Sequence, residues 1–513
     1  MASSGLHIFF LPLITPGHML PMVDMAKLFA ERGVDATLVT TPGNAARIRD
    51  SIDRANATGG RRIQLLQVDF PSSVAGLPDG CDNLAASPVP DVTEDIFRAL
   101  TKLRQPFEKL VQEHAPDCIV SDGFYPWTVD VAADFGIPRL VFYGPGAFSV
   151  AAIGSLFEAK PHQRVSGDAE AFVVPDLPDR IEMTRSQLPE FVVSPLGHMQ
   201  DMGIADLKSY GVIMNSFREL EPVYATDIAG LKTWYIGPLS LCNRDEADKT
   251  VRGEKASGQD GCLNWLDAQA PRSVLYVCFG SLCRFTRPQL REIALGLESS
   301  GHSFLWVLRD VDNSGAAVLP EGFEERTKGR GRVLRGWSPQ LLILGHRAVG
   351  GFMTHCGWNS TLESITAGVP MVAWPLFAEQ FVNEKLIVHL LRVGVGVGAA
   401  VCSNHEEERV LVGEERVKEA VALVMGDGEE AEAMRRRARE LAAMAKEAVE
   451  VGGSSHRSLG NLVQELVAIK KLQFVSNASD PFECIRWRDE RCMVPFKDDM
   501  HILVFTRSKS LAI

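Results

Sequence analysis

The run from Trp337 to Gln380, WSPQLLILGHRAVGGFMTHCGWNSTLESITAGVPMVAWPLFAEQ, leaves few folds open to this chain. Val349-Gly-Gly-Phe-Met-Thr354 is apolar and strand-prone, and His355-Cys-Gly-Trp-Asn-Ser360 is too small and polar for a strand interior. Ser360-Thr-Leu-Glu-Ser-Ile365 then has helical spacing, and a second strand follows with Glu379 and Gln380 at its exit. A strand, a tight turn and a helix opening, in that order, belong to a parallel α/β unit. Such a unit aims unpaired backbone N–H groups at whatever lies above the strand ends, which is where anions bind. His355, Asn359 and Ser360 add side-chain donors at the same point.

The same alternation runs through both halves of the chain. His7–Leu11, Asp35–Thr40, Cys118–Ser121 and Arg139–Tyr143 read as strands, with an amphipathic helix over Leu20–Arg32. Residues 243–261, NRDEADKTVRGEKASGQDG, are almost all charged or small and read as an exposed linker. Beyond it Ser273–Phe279 and Ser303–Leu308 restart the strand pattern around a helix near Gln289–Ser299. The expectation is α/β throughout: two doubly wound domains, 1–242 and 262–453, facing across a cleft. Asp427–Val451 is a charged, Ala-rich helical stretch, and Ser454 can cap a further helix.

Composition narrows the function classes. A net charge of −12 argues against a nucleic-acid or anionic-membrane surface. Ten cysteines without a CxxC pair point to reduced thiols and a cytoplasmic setting. The early apolar run Ile8–Ile14 has no Lys or Arg before it and is broken by Pro12, so it reads as a buried first strand rather than a leader. No apolar run reaches the ~18 residues of a membrane span. A monomer is expected.

His18 in Thr15-Pro-Gly-His18 stands just past the first strand, at the mouth of the first helix. An imidazole titrating near neutrality is suited to taking a proton from a phenolic or alcoholic hydroxyl. It needs an orienting partner, and Asp122 lies at an equivalent strand end.

The 44-residue window 337–380 resembles the donor-binding box of plant family-1 UDP-dependent glycosyltransferases, the secondary-product (PSPG) box. Leu11–Ala26, as LPxxxPGHxxPMxDxA, and Ser121–Asp130, as SDxFxPWTVD, resemble the same family. The resemblance implies the GT-B fold, with acceptor bound mainly by the N-terminal half and UDP-sugar by the C-terminal half. It also implies that the helix over 454–471 returns to the N-terminal domain. His18 and Asp122 then match the family's catalytic dyad. Trp337 is the platform for uracil, Gln340 and Glu363 meet the ribose, and Ser281 joins the His355–Ser360 turn at the diphosphate. Gly280 and Gly357 let backbone approach the phosphates. Ser338 belongs to the same UDP-sugar set, and Trp358, Glu379 and Gln380 match sugar-facing positions. Gln at the last box position goes with glucose, whereas His there goes with galactose. Some glucuronic-acid users carry Arg in place of Trp358.

The reaction so implied is a single in-line displacement. His18 takes the acceptor proton, Asp122 steadies the imidazolium, and UDP leaves toward His355, Ser281 and the helix N-terminus. The product is a β-glucoside, made without a metal or other cofactor. Asp176–Pro189 resembles a subgroup acting on flavonoids, coumarins such as scopoletin, and in some members hormones or triterpenoids. Phe124, Tyr125, Phe148 and Met202 are candidate acceptor-pocket residues. A catalytically silent binder that keeps the nucleotide site is the alternative reading, and turnover separates the two.

Three lookalikes carry nothing. Gly296–Ser303 has His302 where a phosphate loop needs Lys. Gly394–Gly398 lacks the third glycine of a dinucleotide fingerprint and reads as close backbone packing. Asn477-Ala-Ser479 fits a glycosylation acceptor, to which a cytosolic chain is never presented. Residues 472–513 match no usual family ending and are expected to be a poorly ordered appendage.

Overall fold

Short, fully buried apolar strands can satisfy their backbones only in sheets covered on both faces, and parallel α/β layers do this. The computed structural model describes residues 5–58, 62–84, 93–195, 197–253, 259–308 and 319–479. In the N-terminal half the strands are β1 (His7–Leu11), β2 (Asp35–Thr40), β3 (Ile63–Gln67), β4 (Cys118–Asp122), β5 (Arg139–Tyr143), the hairpin β6 (Ala171–Val174) and β7 (Ile181–Thr184), β8 (Gly211–Met214) and β9 (Thr233–Tyr235). In the C-terminal half they are β10 (Val274–Cys278), β11 (Ser303–Leu308), β12 (Gly331–Arg335), β13 (Val349–Thr354), β14 (Met371–Ala373) and β15 (Gly394–Gly396).

The first sheet has seven strands in the order β3-β2-β1-β4-β5-β8-β9 and the second six, in the order β12-β11-β10-β13-β14-β15. Every pairing within these two sheets is parallel, whereas β6 and β7 pair antiparallel. Each sheet therefore reverses its winding once, between β1 and β4 and between β10 and β13. Ligands of open α/β sheets bind outside the carboxyl ends of the strands at such switch points. Leu11 pairs with Ser121 at one, and Cys278 with Thr354 at the other.

The first helix spans Pro16–Glu31, four residues earlier than the apolar pattern suggests, because Pro16 supplies a pre-set φ at its first position. The last helix, Ser454–Ser479, brings Leu459, Leu462, Val463 and Leu466 into the same core as Ile8, Phe10 and Phe29. It thus covers the first sheet, and it runs past the expected end at 471: Gln473 Nε2 donates to the carbonyl of Gly136 at 2.6 Å. Of the expected appendage 472–513, residues 480–513 lie outside the described residues.

Part of the expected linker is held by fixed contacts. Residues 243–253 are not a free tether: Glu246–Thr250 is helical, Asn243 is buried, and Arg54 holds Asp245 and Asp248 at 2.6 Å each. Residues 244–247 are exposed, as the charge composition suggested, but Asp245 and Asp248 have a fixed partner in Arg54. Among the described residues no helix is long and apolar enough to cross a membrane. Gly394, on the edge strand β15, leaves no room for a side chain beside the carbonyl of Met371.

Candidate active site

The dyad forms where the first sheet reverses. His18 follows β1 and Asp122 ends β4, and Nδ1 of His18 lies 2.6 Å from Oδ2 of Asp122. Asp122 is buried, and its other oxygen accepts the N–H of Phe124 at 3.2 Å. With Nδ1–H committed to the carboxylate, Nε2 is the atom left to take a proton. Burial alone would lower the imidazole's pKa, but the charge and hydrogen bond of Asp122, with Glu379 nearby, raise it on balance. Gly144, just past β5, leaves the ring its space: a Cβ there would lie 3.4 Å from Cε1 of His18.

The helix carrying His18 offers an exposed acceptor to the other half. Pro21 has no N–H to give the carbonyl of Gly17, four residues earlier. Nδ2 of Asn359, at the start of the Trp358–Ala367 helix, donates to that carbonyl. The side chain of Asn359 thus ties the donor helix to the residue before His18. The side chain of Trp358 makes a second tie: its indole N–H donates to the carbonyl of Asn215 at 2.8 Å, and its ring fills the space that a side chain at Gly146 would need. Ser149 Oγ adds a third, donating to Oδ1 of Asn383 at 2.6 Å.

These ties leave backbone donors at the second switch point. The first N–H groups of the Trp358–Ala367 helix have no partner within the helix and face the carboxyl end of β13. Gly280 and Gly357 have an immediate packing reason that the sequence did not show. A Cβ on Gly280 would come within 2.7 Å of Cε1 of His355, and one on Gly357 within 2.3 Å of its Nε2, so both make room for that imidazole. Burial pushes the His355 pKa down to about 4, so near neutrality the ring is an uncharged donor rather than a cation. Ser281 sits in the turn after β10, beside Gly280 at φ +77°.

Trp337 and Ser338 follow β12, and the Ser338 hydroxyl lies 2.9 Å from that of Tyr276. Gln340 Nε2 donates to Ser360 Oγ at 3.1 Å and to Oε2 of Glu363 at 2.8 Å, joining three predicted site residues in one network. Gln380 is buried, and its side-chain oxygen accepts the N–H groups of Leu376 at 3.0 Å and Phe377 at 3.1 Å. Its amide NH2 is left as a donor. Glu379 accepts Nδ2 of Asn383 at 3.3 Å, and burial raises its pKa.

Two of the four acceptor-wall residues fall in the core instead. Tyr125 is fully buried, with its hydroxyl on the carbonyl of Pro12 at 3.1 Å and its ring edge-on to Trp127. Phe148 is fully buried against Tyr224. Phe124 and Met202 do flank the dyad. The Phe124 ring lies edge-on to His18 with centroids 6.0 Å apart, and Cε of Met202 would sit 3.8 Å from a Cβ on Gly123. Sequence reasoning missed Arg252, whose guanidinium reaches Glu363 from the linker, and Asn215, which receives Trp358. Neither stands in a motif. Among the described residues no group of three or more His, Cys, Asp or Glu side chains is arranged to hold a metal ion.

Comparison with known proteins agrees with this geometry. Residues 241–428 match the family described as UDP-glucoronosyl and UDP-glucosyl transferase. The chain is 47% identical over 471 residues to the scopoletin glucosyltransferase of Nicotiana tabacum, covering 90% of this chain and 98% of the relative. It is 46% identical over 474 residues to UDP-glucose flavonoid 3-O-glucosyltransferase 7 of Fragaria ananassa, covering 90% and 96%. Among solved structures, Glycyrrhiza uralensis UGT73P12 complexed with glycyrrhetinic acid 3-O-monoglucuronide superposes with a TM-score of 0.85 at 42% identity, covering 92% of this chain and 98% of that one.

Proposed function

Since this chain belongs to the plant family-1 UDP-dependent glycosyltransferases and has their GT-B fold, we propose that it moves glucose from UDP-glucose to a hydroxyl of a small lipophilic acceptor, with His18 as the base. The observation that carries the proposal is the His18–Asp122 pair at the first switch point, facing the helix N-terminus at the second. Flavonoids and coumarins are the acceptor classes favoured, in keeping with the names of the tobacco and strawberry relatives. A triterpenoid is a further candidate, given the ligand in the Glycyrrhiza structure.

In this reading the acceptor hydroxyl lies against Nε2 of His18, with Phe124 and Met202 as its apolar surroundings. As its oxygen attacks the anomeric carbon, the proton passes to Nε2, and Asp122 stabilises the imidazolium. The bond to the UDP oxygen breaks on the opposite face, so an α-linked donor gives a β-glucoside. Charge building on the diphosphate is met by the N–H groups opening the Trp358–Ala367 helix, by neutral His355 and by Ser281. These fixed donors are the reason for expecting turnover without a metal. Trp337 takes the uracil, and Gln340 and Glu363 take the ribose. Glu379 and the free NH2 of Gln380 take the sugar hydroxyls, for which a glucose preference is proposed. The indole N–H of Trp358 is already spent on Asn215, so toward the donor that residue contributes its backbone. A cytoplasmic monomer is part of the same proposal; among the described residues no cysteine forms a disulfide.

The test is a mass-spectrometric screen of the purified protein against flavonols, coumarins, triterpenoids and plant hormones. UDP-glucose, UDP-galactose and UDP-glucuronic acid are offered in parallel, with and without a chelator. A gain of one hexose with UDP-glucose, unaffected by the chelator, is expected. UDP-induced thermal stabilisation with no product from any pair would favour the silent binder instead.

A further inference from the structure

The segment after β9 reaches into the nucleoside end of the site. Arg252 is drawn inside, with 9% of its side chain exposed. Its guanidinium is shared between two buried carboxylates from opposite halves of the molecule. Nε donates to Oδ2 of Asp24 at 2.8 Å, and Nη1 donates to Oε1 of Glu363 at 2.8 Å. Asp24 is itself fixed, because its Oδ1 accepts Nδ2 of Asn243 at 2.9 Å and Asn243 Oδ1 accepts Nζ of Lys27 at 2.9 Å. The next residue, Gly253, has φ +94°, and a Cβ there would lie 2.5 Å from Cζ2 of Trp337. Two consecutive residues of one segment thus meet the two side chains assigned to ribose and base.

Resting on the reading of Glu363 as the ribose acceptor, we infer that Arg252 is a positioning residue for the donor: it holds the Glu363 carboxylate in place for the ribose hydroxyls, and can do so only while the two halves are closed on each other. A carboxylate has about four acceptor sites on its two oxygens. Arg252 takes one on Oε1 and Gln340 one on Oε2, which leaves two for the two hydroxyls of a ribose. A buried carboxylate also needs a countercharge, and a planar guanidinium anchored at its other edge fixes direction as well as charge. Asp24 lies on the helix that carries His18, and Glu363 on the helix that faces the diphosphate. The bridge Asp24–Arg252–Glu363 therefore couples the affinity for the nucleoside to closure of the cleft over the base. Gly253 sets the path of the chain here. Its positive φ favours glycine, and any side chain would strike the indole.

The test uses the full chain and compares Arg252→Met, Arg252→Lys, Asp24→Asn and Glu363→Gln. It measures UDP affinity by calorimetry and follows kcat and both KM values. Arg252→Met is expected to raise the UDP Kd and the KM for UDP-glucose at least about tenfold, with the acceptor KM and saturating kcat held within about twofold. Arg252→Lys should recover part of the loss. Asp24→Asn, remote from the nucleoside, should move the same two constants in the same direction, and serves if Arg252→Met fails to fold. Unchanged or tighter UDP binding in Arg252→Met, with Glu363→Gln weakened, would overturn the inference and leave the ribose reading standing. Full UDP affinity in Glu363→Gln would instead remove the ribose reading itself.

Discussion

Nδ1 of His18 and Oδ2 of Asp122 meet at 2.6 Å, although 104 residues separate them along the chain. Adjacent parallel strands bring them together, and the pairing leaves Nε2 as the nitrogen open to a proton. Because Asp122 and its neighbours raise the imidazole's pKa, the free base forms only at higher pH than for an ordinary histidine. The rate should fall as pH drops through an apparent pKa above the usual ~6.5. Asp122→Asn should move that acidic limb of kcat/KM to lower pH and cut kcat by about 10²–10⁴-fold. A pH–rate profile of both proteins checks the shift, and an unmoved limb would separate the titrating group from this pair.

The imidazole of His355 occupies the room left by Gly280 and Gly357. Gly280→Ala would add a strained positive φ to a contact of 2.7 Å with that ring. The expected cost is about 2–4 kcal/mol of stability, with weakened UDP binding. Thermal unfolding with and without UDP measures both effects.

Trp358 joins the halves through its N–H and its ring. Trp358→Phe keeps much of the apolar contact but strands the buried carbonyl of Asn215, for an expected loss of about 1–3 kcal/mol. Denaturant unfolding reads the change, and a loss below about 0.5 kcal/mol would mean that the carbonyl finds another partner.

Leu462, on the last helix, is fully buried among residues of the first sheet and first helix. Leu462→Ala should cost about 2–5 kcal/mol and lower Tm, although the residue is far from the chemistry. An unchanged Tm would show that the last helix is not part of the N-terminal core.

Much of the fold was legible because α/β chemistry is local: a strand, its turn and the next helix are contiguous, so Val349–Ile365 announced the element order and the helix N-terminus above the strand end. The positions of His18 and Asp122 at strand ends were readable for the same reason. What stayed hidden depends on distant partners. Arg252 sits in a stretch whose composition reads as solvated, yet its partners Asp24 and Glu363 lie 228 and 111 residues away. Tyr125 and Phe148 could not be told from pocket walls, since apolar side chains serve cores and ligands alike. Pro16 likewise precedes the apolar pattern over Leu20–Arg32, yet it opens that helix. The reason for Gly280 and Gly357 became visible only once the ring of His355 had a position.

Removal of the acceptor proton by His18 is tested by single-turnover transfer from UDP-glucose by His18→Ala alongside UDP calorimetry on the same protein. A loss of about 10²–10⁴-fold in transfer is expected, with UDP affinity nearly unchanged. Transfer at close to the parent rate would contradict that role, and would assign the proton to another group.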